Sequence, residues 1–256
     1  MASAFSKANN KLQAMVDHAD LQPFLASKRK VYSFDLLSGH SCPFASDCLA
    51  KVKEVDGKRK VVDGPEMEFR CFSASQEATY TNVYNKRKGN FDNLRKMSED
   101  EIVEFLLAEM PKNLGICRIH VAGDFFSPKY FSAWIRVAEM NPSRLFYAYT
   151  KSLPYWIANL DRIPENLVLT ASYGGRCDDK IVEYNLRAAK VVFSYAEAEA
   201  LGLEIDHDDS HVANPQSKDT DFALIIHGIQ PKGSEASDAI RELKKAGDKF
   251  SYGRKA

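Results

Sequence analysis

The sequence predicts an α/β protein, a partial (β/α) barrel of about six mostly parallel strands, with a long cysteine-bearing loop after the first strand. Three observations carry this reading. From residue 98 onward, short β-rich runs alternate with helical runs, the pattern of right-handed βαβ units and a parallel sheet. The strands number about six including the first, short of the eight of a complete barrel, with an open doubly wound sheet as the alternative. Residues 37–75 show no sustained period and hold Cys42, Cys48 and Cys71, so something other than a core, such as a metal centre, is expected to organise them.

Taken in order, residues 1–30 read as a helical extension ending in Lys28-Arg29-Lys30. Val31-Tyr32-Ser33-Phe34-Asp35 alternates and is β-rich, a first strand. After the 37–75 loop, Ser75 to Lys88 reads as helix. Ser98 and Glu101 form a capping box ahead of Ile102, Phe105, Leu106 and Met110 at helical spacing. Then follow strand Cys117–Ala122, helix Pro128–Glu139, strand Leu145–Thr150, a short helix near Tyr155–Leu160 and strand Leu167–Ser172. Helix Ile181–Ala189, strand Val191–Tyr195, a short helix to Leu201, strand Phe222–His227 and helix Glu235–Lys245 complete the pattern, and residues 246–256 read as a flexible basic tail. The whole chain, residues 1–256, is expected to be a single domain.

Composition narrows the function classes. The 35 Lys and Arg balance the 35 Asp and Glu, which excludes a histone-like binder that works by bulk positive charge. With 45% hydrophobic and 27% charged residues the chain is too apolar to be disordered. No apolar run approaches the ~18 residues of a membrane span, and the start is too polar for a secretory signal, so the cytoplasm is the expected compartment. There, five cysteines serve metal or chemistry rather than disulfides.

Cys42, Cys48 and Cys71 are soft ligands that suit zinc or an iron–sulfur cluster, although their spacing matches neither a zinc ribbon nor a ferredoxin run. The plain alternative is three small buried residues. Cys117 opens a strand and reads as packing, while Cys177, after Gly174-Gly175-Arg176, is a candidate fourth ligand. Three protein ligands on a four-iron cluster leave one iron open to a substrate or cofactor.

Ligands in parallel α/β folds sit at strand C-terminal ends. One parity there collects Arg118, His120, Ala122 and Asp124; another collects Tyr147, Tyr149 and Lys151; Thr170 shares a face with Ser172, and His227 ends a later strand. Each has a bland reading, His120 as a satisfied core histidine, Lys151 as a solvated strand end and Asp124 as a helix cap. Their recurrence favours a site, with Asp124 and Lys151 as catalytic candidates and His120, Tyr149, Ser172 and His227 as cofactor-binding ones. Gly123 and Gly174 add room for close backbone approach to a ligand. Asp206-His207-Asp208-Asp209-Ser210-His211 reads as a solvated loop or a divalent-metal site. Lys28-Arg29-Lys30, Lys86-Arg87-Lys88 and the basic tail are contact patches for a phage or host partner or nucleic acid if the protein is a binding module.

The blocks SGHSCPFASDCLAK, FRCFSASQEATYTNVY, RIHVAGDFFSPKYFSAW, FYAYTKS and LTASYGG, in this order over roughly residues 30 to 230, resemble the phage gene-product-88 family. The resemblance implies a phage or prophage source, hence the host cytoplasm, and an iron–sulfur cluster on Cys42, Cys48 and Cys71. The architecture also resembles the partial barrel of radical S-adenosylmethionine enzymes, whose C-x3-C-x2-C signature is absent here. Two functions follow as expectations. The first is a [4Fe-4S] protein with a polar pocket for a small molecule or nucleotide, with S-adenosylmethionine as a further candidate cofactor. The second is a non-catalytic module, its loop stapled by a cluster or zinc, that contacts a protein or nucleic-acid partner.

Overall fold

The computed structural model of the protein describes residues 4–217 and 219–247. In chain order the elements are β1 (Phe5–Lys7), α1 (Asn10–Ala14), α2 (Gln22–Leu25), β2 (Lys30–Phe34), β3 (Ala50–Val55), β4 (Lys58–Asp63), α3 (Ala74–Thr79) and α4 (Thr81–Leu94). There follow α5 (Glu99–Glu109), β5 (Leu114–Ile119), α6 (Pro128–Glu139), β6 (Leu145–Thr150), α7 (Leu153–Ile157), β7 (Leu167–Ser172) and α8 (Asp179–Glu183). The last are β8 (Ala188–Val192), α9 (Tyr195–Ala200), β9 (Glu204–Ile205), α10 (Ser210–Ala213), β10 (Phe222–Ile225) and α11 (Glu235–Lys245).

Local chemistry explains the best-defined helices. The Ser98 hydroxyl accepts from the Glu101 amide at 3.3 Å, and the Glu101 carboxylate accepts from the Ser98 amide at 2.7 Å, so α5 starts with both halves of a capping box. Ser127 caps α6 with Pro128 in its first turn, where proline's missing N–H costs nothing. Ser234 caps α11, and Lys244 and Lys245 sit at its negative C-terminal end.

Among the described residues these elements make a mixed α/β protein around a large, mostly parallel sheet of eight strands in the order β1-β2-β5-β6-β7-β8-β10-β9. Only β1, on the edge, runs antiparallel to its neighbour. From β2 to β10 spatial order follows chain order, without the reversal of a doubly wound sheet. One face packs on α5 and α6: Phe34, Cys117, Ile119, Phe146 and Ala148 meet Ile102, Leu106, Tyr130, Phe131 and Trp134. Trp134 lies edge-on to Phe5, Phe34 and Tyr130 within this core. The other face, with Val31, Ile116, Tyr147, Val168, Ala189 and Phe222, is covered by Leu12, Met15 and Leu21 from the N-terminal segment and by Val212 and Ala213 from α10.

Several expectations are corrected. The main sheet has eight strands rather than about six, because short β1 and β9 add to its edges. Residues 1–30 are not helical throughout, since β1 pairs with β2 before α1 begins. The 37–75 loop holds a hairpin, β3–β4, turned at Asp56 and Gly57, whose φ angles of 53° and 70° are the two left-handed positions of a type I′ turn. The helix expected from Ser75 to Lys88 breaks at Tyr80, which is extended (φ −107°, ψ 108°), to give α3 and α4. The strand expected at Cys117–Ala122 runs from Leu114 and ends at Ile119, before His120 turns left-handed. Ala188 and Ala189 belong to β8 instead of a helix, because pairing with β7 and β10 outweighs their helix propensity. Of the expected tail, residues 248–256 lie outside the described residues.

Candidate functional site

The strand ends and the cysteine segment enclose one cavity of about 160 Å³. Its floor is built from Arg118 of β5 and His120, Val121, Ala122, Gly123 and Asp124 just after it, from Tyr149 and Thr150 of β6 and Lys151 just after it, and from Ser172 of β7. Its roof carries Cys42, Cys48, Cys71, Ala45, Phe69 and Phe72.

The roof is fastened to the floor at several strand ends. Leu36 donates its amide to the Ala122 carbonyl at 2.9 Å. The amides of Ser46 and Asp47 both donate to the Gly174 carbonyl, and Ala45 pairs with Gly175 as an isolated bridge. The Ser73 hydroxyl donates to the Val121 carbonyl at 2.7 Å. Gln230 clamps the backbone of Arg70 on both sides, at 2.6 and 3.1 Å, one residue before Cys71. Arg70 in turn holds Asp63 of β4 by two hydrogen bonds, which ties the hairpin to the same point.

The thiols of Cys42, Cys48 and Cys71 all have raised pKa values, with burial as the main cause. Cys48 is pushed up to about 11 by burial against the pull of Lys151, with Cys71 and Asp124 adding to the rise. Cys42 is raised by burial and then by Asp124, Cys71 and Cys48, so the three sulfurs lie within electrostatic reach of one another. Opposing this, the backbone amides of Ser73 and Ala74 and the Ser38 side chain near Cys71, and the Gly39 amide near Cys42, pull these values back down. Ser38 is held in place by buried Glu77, which accepts from its amide at 2.9 Å, its hydroxyl at 2.8 Å and from Arg87 at 3.1 Å. Burial raises the Glu77 pKa against these contacts.

Asp124 lies under the cysteines and is buried. Its Oδ1 accepts from the Thr150 hydroxyl and the Phe125 amide, both at 2.7 Å, and its Oδ2 accepts from the Lys151 amide at 2.8 Å. Burial raises its pKa and these three donors oppose the rise. Lys151 Nζ donates to the Ser172 carbonyl and hydroxyl, each at 2.9 Å, and to the Tyr173 carbonyl. Both side chains expected to be catalytic are thus held by the framework, with the positive charge of Lys151 beside Cys48.

Of the other expected ligand-binding residues, Gly123, His120, Tyr149 and Ser172 line the cavity, whereas Gly174 and His227 do not. Gly123 has φ +90°, and a Cβ there would stand 2.5 Å from Ser41 Oγ and 2.7 Å from Leu36 Cβ, so only glycine lets the roof close on this turn. Gly174, also at φ +90°, holds the Cys42–Cys48 loop through its carbonyl. His227 stacks on Phe72 with ring centroids 3.7 Å apart, supporting the roof from outside. His120 departs from the alternation, because its φ of +72° swings the ring into the α6 core, 2.9 Å from the Tyr130 hydroxyl and edge-on to Phe125. Cys117 is wholly buried, as expected of a packing residue, and Cys177 is not among the cavity-lining residues.

One feature of the floor escaped the sequence reading. Arg118 pairs with Asp209 at 2.5 Å across 91 residues, Tyr147 donates to the same carboxylate oxygen at 3.0 Å, and the guanidinium sits 5.1 Å over the Tyr149 ring. Burial opposes the Arg118 charge, but Asp209 and the tyrosines more than offset it, so its pKa is raised. The only trace of this in the sequence is that the run around His207 contains more carboxylates than a solvated turn needs. Among the described residues, no three His, Cys, Asp or Glu side chains are grouped to hold a single metal ion, in the 206–211 run or elsewhere.

Fold and site define a mostly parallel α/β protein in which a cysteine-bearing segment closes a small cavity of mixed polar and apolar lining over the strand ends. The chain belongs to the gene product 88 family, whose profile matches residues 3–246. It is 32% identical over 122 residues to the Gene 88 protein of Mycobacterium phage L5, a match covering 44% of this chain and 44% of that protein. The chain thus matches less than half the length of this curated relative. Family and relative support the expected phage origin. No solved structure matches the chain. Among the described residues, no helix is long and apolar enough to cross a membrane.

Proposed function

We propose that the protein carries a [4Fe-4S] cluster on Cys42, Cys48 and Cys71 and binds a small molecule or nucleotide in the cavity beneath it, in the host cytoplasm. The observation that carries this reading is the meeting of three half-buried cysteines, from two separate stretches of chain, around one cavity that also holds Arg118, Asp124 and Lys151. Three thiolates lining one cavity repel one another, and one lysine cannot neutralise them, so the ligand form calls for a larger positive centre. Backbone amides near Cys71 and Cys42 lower their pKa values and so favour that form. A single zinc ion would draw three sulfurs to within about 4 Å of each other. Thiols spread around a cavity of about 160 Å³ suit a polynuclear group instead.

When bound, such a cluster supplies redox or Lewis-acid chemistry at the iron without a protein ligand. The chain's own residues then bind and orient. Lys151 and Arg118 supply positive charge at the cavity floor. Asp124, held by three donors, fixes the turn that carries Gly123. Phe69 and Phe72 exclude water from above. The sequential strand order also supports reading the sheet as a partial barrel open at this end.

Anaerobic purification with iron, sulfide and zinc analysis tests the proposal. A brown protein with about four irons per chain supports it, as does loss of iron and colour in Cys42→Ser, Cys48→Ser and Cys71→Ser but not Cys177→Ser. One zinc per chain and no colour would overturn it. Paramagnetic resonance of the reduced protein with and without S-adenosylmethionine tests that cofactor, and an unchanged spectrum removes it.

A further inference from the structure

We propose that the solvent-facing side of the β3–β4 hairpin binds the phosphate backbone of duplex nucleic acid. This inference is independent of the cluster. In the hairpin register Lys51 lies opposite Val62, Lys53 opposite Lys60 and Val55 opposite Lys58. Directly opposed residues share a face, so one side of the ribbon carries Lys51, Lys53, Lys58 and Lys60, with Val55 and Val62. That side holds no Asp or Glu. Among the described residues, none of the four lysines makes an ion pair. Three of them are exposed and Lys51 is half-buried; Val55 and Val62 are 39% and 41% exposed.

The opposite side shows what this ribbon looks like where it has an intramolecular partner. Ala50 and Val52 are buried, Arg59 donates to the Ala78 carbonyl and at 2.8 Å to the Thr81 hydroxyl, and its guanidinium stands 5.2 Å over the Tyr84 ring. The ribbon is therefore held firmly against α3 and α4 from behind, and its lysine side points outward. Lys53 directly opposite Lys60 is a pairing that destabilises a sheet unless an anion lies over it. In a chain of net charge zero, four lysines with no acid among them are a local departure.

The chemistry of the face selects the partner. Four point charges on a ribbon about 20 Å long and two strands wide match a repeating line of phosphates. A two-stranded ribbon also fits a DNA major groove about 12 Å wide. A protein partner would want an aromatic or Arg anchor at the centre, and a lipid surface would want Trp, Phe or Leu to insert; the face has none of these.

The test is fluorescence anisotropy of the full chain with a labelled mixed-sequence DNA duplex about two helical turns long. Four contacts predict a slope of ~−3.6 in log affinity against log salt, so that affinity falls about 150-fold from 50 to 200 mM salt. The variant Lys51→Gln/Lys53→Gln/Lys58→Gln/Lys60→Gln is expected to lose this slope while keeping the wild-type circular dichroism. Lys53→Glu/Lys60→Glu should bind no better, and Lys244→Gln/Lys245→Gln on α11 should bind as wild type. Equal binding by wild type and the quadruple variant overturns the proposal, as does loss of binding in the α11 variant alone. Binding to phosphatidylserine vesicles without binding to the duplex does the same.

Discussion

His120 is expected to make the fold acid-sensitive by an amount that follows from its surroundings. The ring is buried, its Nε2 faces the Tyr130 hydroxyl at 2.9 Å, and among the described residues its Nδ1 has no hydrogen-bond partner. Burial, with the Arg118 charge adding to it, lowers its pKa to about 3 from an ordinary value of ~6.5. The folded value lies below the unfolded one, so between these two pH values the unfolded chain binds a proton that the native protein does not. Stability from this site is therefore complete above pH 6.5 and falls as the pH drops below it. From pH 7 to pH 5 the unfolded state gains about 1.5 pH units of protonation advantage, worth about 2 kcal/mol. That corresponds to a shift of about 1 M in a urea midpoint.

Asn is the informative replacement, because it tolerates the left-handed backbone at φ +72° and offers a neutral amide to the Tyr130 hydroxyl. Urea unfolding of wild type and His120→Asn at pH 7 and pH 5 isolates the histidine, since other titrating groups are common to both. The wild type should lose about 2 kcal/mol more than the variant over that interval. Equal losses would refute the reasoning, as would a native-state imidazole resonance that titrates near pH 6.5.

Two further perturbations probe the walls of the cavity. Gly123→Ala should destabilise by about 2–5 kcal/mol, combining a left-handed backbone with the 2.5 Å contact on Ser41 Oγ, and a denaturant midpoint within error of wild type would contradict it. Arg118→Met should cost about 3–5 kcal/mol by leaving the fully buried Asp209 carboxylate without its ion pair, and Arg118→Met/Asp209→Leu should recover most of that loss; a double variant no more stable than the single one would refute the pairing.

Much of the framework was legible because it rests on local chemistry. α6, β6, β7 and α11 fall at their expected boundaries because caps, a first-turn proline and clean periodicity coincide there. The β3–β4 hairpin has a local signal too, since Asp56-Gly57 between two β-rich runs is a strong short-range turn pattern, although many lysines surround it. The misplacement of β8 has a different origin, since Ala188 and Ala189 carry no strand preference of their own and become strand by pairing with neighbours distant in the chain.

The sequence by itself determined which chemistry is at hand: three cysteines in one irregular segment, polar side chains at the ends of parallel strands, and glycines where backbones approach. Cys42, Cys48, Cys71, Asp124, Lys151, Gly123, His120, Tyr149 and Ser172 line one cavity, because parallel strands bring their C-terminal ends together and the cysteine segment folds over those ends. The tertiary structure alone decided what those groups face. A left-handed residue turns His120 into the core, Gly174 and His227 brace the roof instead of lining it, and Asp209 crosses 91 residues to hold Arg118. Ion pairs and backbone reversals of this kind depend on distances between segments, and no local pattern of residues encodes those distances.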